Sequence, residues 1–184
     1  MQMRYAILGM VMLGQLAGQM AGPGGGGGGN RVPALSTAER DRLLFMREEE
    51  KMAGDVYRFL ADKWKLRVFS NIAESEDRHF DAVGRLLERY RLIDPTIGLG
   101  PGVYRSTVIT ALFQELTAKG AVSVKDALEV GVTIEKVDIQ DLVAGMLETK
   151  QSDIRRVYTN LLNGSFSHLE SFETTLEPLI AGAS

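Results

Sequence analysis

The chain has no cysteine, two histidines and one tryptophan among its 184 residues. Without cysteine there can be no disulfide framework, thiolate metal site or cysteine nucleophile. Two histidines are too few for a His-rich zinc site. Positive charge is not in excess either, with 21 Lys+Arg against 24 Asp+Glu and a net charge of −3. A nucleic-acid binder needs a basic face, so nucleic acid is not an expected partner. No stretch alternates with period two for long enough to read as a strand.

What is present is unevenly spread. Of 20 glycines, 10 precede Arg31, as do 5 of the 8 methionines. Arg4 is followed by the apolar run Ala6 to Leu13, by small residues, and by six consecutive glycines, Gly24 to Gly29. A positive start before a short apolar stretch describes a secretory signal. The run is shorter than the roughly 20 residues of a comfortable membrane span. No clean cleavage site appears near Ala17 or Ala21, so an uncleaved membrane anchor stays open. Residues 1–22 therefore read as signal or anchor and 23–34 as a flexible glycine tether. The expected location is exported or cell-surface. The alternative is a leader or misassigned start on a cytoplasmic protein. The 154 residues from Arg31 carry 20 Lys+Arg and 24 Asp+Glu, and their number suits one domain with a sizeable core.

From Ser36 the pattern is helical. Ser36-Thr-Ala-Glu39 is a capping box, and the first helix it opens runs to about Trp64. After a turn at Lys65 to Val68, a second helix covers about Phe69 to Arg91 and stops at Asp94-Pro95. A short helix follows at Thr107 to Lys119. Ser123 caps a third long helix reaching about Glu148, and Ser152 caps a fourth reaching about Thr175, before Pro178. Two connections are short, whereas about thirty residues separate the second long helix from the third. The expected fold is all-α: over 35–178, a ferritin-like antiparallel four-helix bundle with one long crossover between its two hairpins.

The helix wheels place charge where apolar residues belong. On the second helix Phe69, Ile72, Glu76, His79, Val83, Leu86, Leu87 and Tyr90 share an arc of roughly 100°. Glu76 and His79, three residues apart, lie side by side on it. On the third helix Glu135 sits among Leu128, Ile139, Leu142 and Met146. On the fourth, His168 lies among Ile154, Tyr158, Leu161, Ser165, Phe172 and Leu176. The first offers Glu50 among Leu43, Met46, Ala53, Tyr57, Leu60 and Trp64, with Glu49 just outside that arc, toward a second apolar stripe of Phe45, Met52 and Val56. The wheel alone does not choose between Glu49 and Glu50. Buried carboxylates are costly unless paired, protonated or bound to a metal. Three Glu and two His converging on one axis call for a cation, and the ligand set suits iron or manganese, with zinc less specific.

Glu50-x-x-Ala53-x-x-x-Tyr57 and Glu76-x-x-His79 resemble the first- and second-helix motifs of rubrerythrins and bacterioferritins. More closely, Arg47-Glu-Glu-Glu-Lys-Met-Ala-Gly-Asp-Val-Tyr57 and Phe69-Ser-Asn-Ile-Ala-Glu-Ser-Glu-Asp-Arg-His79 resemble an uncharacterised ferritin-like family of unknown function. Ile134-Glu-Lys-Val-Asp-Ile139 and Gly164-Ser-Phe-Ser-His-Leu169 look like its second half. The resemblance favours Glu50 over Glu49. It implies a metal centre of one or two irons held by Glu50, Glu76, His79, Glu135 and His168, with Tyr57 donating to a ligand carboxylate. It also implies redox chemistry on oxygen, peroxide or ferrous iron. With no cysteine module, electrons must come from an external donor.

One position departs from the di-iron pattern. A second Glu-x-x-His would put a carboxylate at 165, but the chain has Ser165-x-x-His168. Asp138, one turn beyond Glu135, a water or an exogenous anion can take the place of the missing carboxylate. Gly164 beside it either loosens the helix, leaves room for a small ligand or marks a simple kink. The rival reading, from another class, is an exported non-enzymatic bundle with a structural metal or none. The sequence also leaves open a homodimer and a membrane tether through the N-terminus.

Overall fold

The computed structural model describes residues 32–181, so the N-terminal signal or anchor and most of the glycine tether lie outside the described residues. The described chain forms five helices and no strand: α1 (Thr37–Trp64), α2 (Arg67–Arg89), α3 (Thr107–Gly120), α4 (Val124–Glu148) and α5 (Ser152–Ala181). Among the described residues no helix is long and apolar enough to cross a membrane.

The capping box at Ser36 forms in both directions, with Glu39 N donating to Ser36 Oγ and Ser36 N donating to Glu39 Oε2. The second oxygen of Glu39 accepts from Thr149 Oγ1 at 2.8 Å and from Lys150 N at 3.0 Å. One cap thereby fixes the α4–α5 turn to the start of α1. Lys65 ends α1 in the left-handed region, φ 56°, and returns its N–H to Ala61. The turn is only two residues, so α2 starts earlier than the sequence suggested.

Two expectations at α5 need correction. The helix begins at Ser152 itself, so Ser152 is not its cap. The turn is held instead by Thr149, which accepts from Gln151 N through its hydroxyl and from Arg155 through its carbonyl. Nor does the helix stop before Pro178, which lies inside it. Proline removes one backbone donor, and here the loss falls in a last turn where Leu179 and Ile180 are exposed.

The hairpin α1–α2 and the hairpin α4–α5 are the closest pairs; α1 also meets α4, α2 meets α5, and α3 packs on α1 and α4. The apolar core comes in two clusters. One gathers Val56, Tyr57, Phe69, Leu128 and Phe172. The other gathers Leu43, Met46, Val83, Leu86, Leu142, Tyr158 and Leu161. On each of the four long helices the change of cluster falls at polar or charged residues: Glu49 and Glu50 on α1, Glu76 and His79 on α2, Glu135 and Asp138 on α4, Ser165 and His168 on α5. All eight are buried. A polar layer thus divides the core at a single level.

Candidate metal centre

Glu76 is the hub of that layer. It is 3% exposed, and its two oxygens face different imidazoles: Oε1 lies 2.9 Å from His168 Nδ1 and Oε2 lies 3.0 Å from His79 Nδ1. Glu50 Oε2 stands 3.5 Å from His79 Nδ1, and Glu135 Oε2 stands 3.5 Å from His168 Nδ1. The two rings are 5.4 Å apart between centroids. Two residues on α2, one on α1, one on α4 and one on α5 thus meet at one place.

These contacts are close but not paired. Both Nδ1 atoms are buried without an aligned hydrogen bond, and so is Glu50 Oε1. Buried polar groups are otherwise almost always hydrogen-bonded. Ligand atoms of Glu76, His79 and His168 all lie within 4.8 Å of one another, a spacing one metal ion can span. The donor set fits a metal.

The charges divide according to distance. Burial pushes the Glu76 pKa up, but His168 and His79 outweigh it and hold Glu76 down at about 2. Burial pulls the imidazoles down, yet the facing carboxylates hold His79 at about 11 and His168 at about 9. Glu50 and Glu135 have weaker partners, so burial dominates and raises them to about 8 and about 7. Without metal the layer therefore keeps protons that an unfolded chain would release.

A pH dependence follows by linkage. Glu50, Glu135, His79 and His168 all bind protons more tightly folded than unfolded, where the values are 4.5 for Glu and 6.5 for His. Their contribution to stability is fully present below those unfolded values and is lost as pH rises through the folded ones. Glu76 works the other way: its stabilisation is present above 4.5 and is lost as pH falls toward 2. Metal-free protein is expected to melt highest near about pH 5 and progressively lower toward about pH 9. Metal-loaded protein should gain relative to it as pH rises, because metal replaces those protons. Melting curves across this range check both; a metal-free Tm that climbs with pH contradicts the assignment.

The remaining sequence-predicted residues sit around this hub. Tyr57 Oη donates to Glu135 Oε1 at 2.5 Å. Asp138 is buried and turned toward α5, where Ser165 Oγ lies 2.5 Å from its Oδ2 while its Oδ1 has no partner. Gly164 is not an opening for a ligand. A Cβ there would meet His79 Nε2 at 2.5 Å, so the glycine is the slot that admits the imidazole. Gly164→Ala is expected to push His79 out of line and weaken metal binding by about 10–100-fold, the usual cost of disturbing the support of a ligand. Metal titration of the folded variant measures it, and unchanged affinity would remove this role.

Residues 39–180 match the profile of a family described as an uncharacterized protein domain, DUF2202. The chain belongs to that family. It is similar to the uncharacterized protein MJ0754 of Methanocaldococcus jannaschii, 47% identical over 138 residues and 75% of each chain. It is also similar to the crystal structure of hypothetical protein MJ0754, with a TM-score of 0.79 and 44% identity. That likeness covers 82% of this chain and 86% of the other.

In this DUF2202 chain the sequence reading missed how much of α1 is buried. The charged string from Arg47 to Asp55 looks like a solvated face, yet nearly every member has a separate address. Arg47 pairs with Asp94 at 2.8 Å. Glu48 accepts from Arg105 N and Ser106 N at the start of α3, where a negative charge also suits the helix dipole. Lys51 Nζ donates to Gly100 O and to Asp55, and Asp55 accepts from Gly102 N and Tyr104 Oη.

Glu49 is buried as well, although it is not in the hub. Burial, with Asp141 and Glu50 nearby, raises its pKa well above the ordinary range. Asp141 in turn pairs with Arg42 at 2.9 Å. The available signal was spacing: Glu135, Asp138 and Asp141 recur every three residues on one face of α4. The wheel favoured Ile139 and Met146 instead, and both are only half-buried.

Proposed function

We propose that this chain is a ferritin-like metalloprotein of the four-helix kind, with an iron centre of one or two ions. Its ligands are Glu50, Glu76, His79, Glu135 and His168, with Asp138 supplying charge for a second ion. The observation carrying this is the pair of buried, unpartnered Nδ1 atoms on α2 and α5 facing the two oxygens of Glu76. Manganese fits the same donors, and zinc fits them less specifically.

Iron held by such ligands would supply redox chemistry toward oxygen, peroxide or ferrous iron, using an external electron donor. The chain's own residues set the conditions for it. The apolar clusters bound the layer on either side, and its members are buried. Tyr57 fixes the Glu135 carboxylate through its hydrogen bond, and burial with the Glu135 charge keeps that phenol protonated. Gly164 leaves the space in which the His79 imidazole sits. The N-terminal segment fits an exported or membrane-tethered protein.

Loading with ferrous iron under nitrogen, then adding oxygen or peroxide and a chemical reductant in turn, tests the redox reading. The expected result is a visible-range spectrum that switches reversibly with oxidant consumed in proportion to protein. A bound metal whose spectrum never changes would favour a purely structural ion.

A further inference from the structure

An ion bound in the Glu–His layer has to cross a shell of packed side chains, because Glu50, Glu76, His79, Glu135 and His168 are all buried. One cavity comes up against that shell. It measures about 440 Å³, opens between α1, α2 and the crossover segment, and has Glu50 as a wall. An ion with six waters needs about 180 Å³, at roughly 30 Å³ per water, so a hydrated cation fits. By contrast, a pocket on the α3 side that touches Glu49 is about 10 Å³ and includes none of the five ligands.

Charge in the cavity suits a cation as well. Four acids and three bases line it, which leaves it net negative. Three of the acids are held by those bases: Asp94 by Arg47, Asp55 by Lys51 and Arg58, and Asp77 by Arg58. Glu50 is the fourth. It faces His79 instead, and its Oε1 is buried and unpartnered.

The two arginines of the cavity are held very differently. Arg47 is buried, lies 3.1 Å from the centre of the Phe80 ring, donates to Phe80 O and pairs with Asp94. Gly84 leaves the space for its guanidinium, which a Cβ there would meet at 2.8 Å. Arg58 crosses the same α1–α2 seam over Gly54, where a Cβ would meet its Nη1 at 3.1 Å and Glu76 Cβ at 3.5 Å. Its partners are Asp55 on its own helix and Asp77, the residue after Glu76 on α2. The side chains of Arg58 and Asp77 are 45% and 58% exposed, so water competes for their contact. Arg47 is a fixed wall, whereas the Arg58–Asp77 clasp opens readily.

We propose that the metal ion enters and leaves its centre through this cavity, past the Arg58–Asp77 clasp, with Glu50 the first ligand it meets. The route rests on the metal centre proposed above. A clasp across the route slows entry and release alike and leaves the equilibrium affinity unchanged.

The test uses the full chain loaded with ferrous iron under nitrogen. Release to a chromogenic chelator gives the off-rate, and equilibrium dialysis gives the affinity. Arg58→Gln is expected to speed release by about fivefold, the scale of an exposed ion pair. Charge alone predicts the opposite, since losing a neighbouring cation tightens metal binding and slows release. Asp77→Asn should speed release too. Leu99→Trp, which fills the cavity, should slow release by about fivefold or more, with affinity within about twofold of the parent. Circular dichroism confirms that each variant is folded, and Ile97→Trp, on a wall that is 67% exposed, replaces Leu99→Trp if that one is not. Release that Arg58→Gln slows, or that neither it nor the tryptophan changes, overturns the route. Protein that binds no iron sinks the metal centre and the route with it; iron bound at parental affinity, with release that ignores every substitution, sinks the route alone.

Discussion

Glu76→Gln protein, purified without added chelator or metal, is expected to retain less than about a tenth of the parent's bound metal. Each Glu76 oxygen faces one imidazole, so this one residue connects both histidines. The amide has the same shape but no charge, and only one of its two heads can accept. Packing around position 76 is kept, so helical content should be unchanged. Replacing His79 or His168 with alanine should also release metal, although it leaves a void as well. A Glu76→Gln protein with full metal content would show that the hub of the site lies elsewhere.

The second large effect concerns Asp138. Glu50, Glu76 and Glu135 together carry −3, against +4 for two divalent ions, and Asp138 closes the difference. Asp138 reaches the buried layer beside Ser165, with one oxygen free. If the centre holds two ions, Asp138→Asn is expected to lower the metal-to-chain ratio from two toward one. Adding Ser165→Glu to that variant should move the ratio back, since it returns the carboxylate from α5 instead of α4. Ser165 is completely buried, so the double variant must first be shown to fold. A ratio of two that survives Asp138→Asn would mean that another group, with buried Glu49 the nearest choice, compensates the charge.

The parts of this site that were legible in the sequence share a physical cause. On α2, Glu76 and His79 stand out because everything else on their face is apolar, and a single period exposes that contrast. Ser36 and Glu39 announced α1 through side chains that act within four residues. What stayed hidden depends on partners far along the chain. The wheel marked two apolar stripes on α1 but not the partners of the charges between them, which α2, α3, α4 and the crossover supply. Asp141 was passed over because hydropathy counts any acid as exposed, and its partner Arg42 lies 99 residues away. The purpose of Gly164 is likewise visible only once α2 brings His79 against it.

Metal binding by the buried Glu–His layer is decided by elemental analysis of the natively purified protein. One or two iron ions per chain are expected, with a fall in Tm when a chelator strips them and recovery when iron is returned. Protein that carries no more than trace transition metal, and whose Tm does not respond to added iron, manganese or zinc, would contradict it.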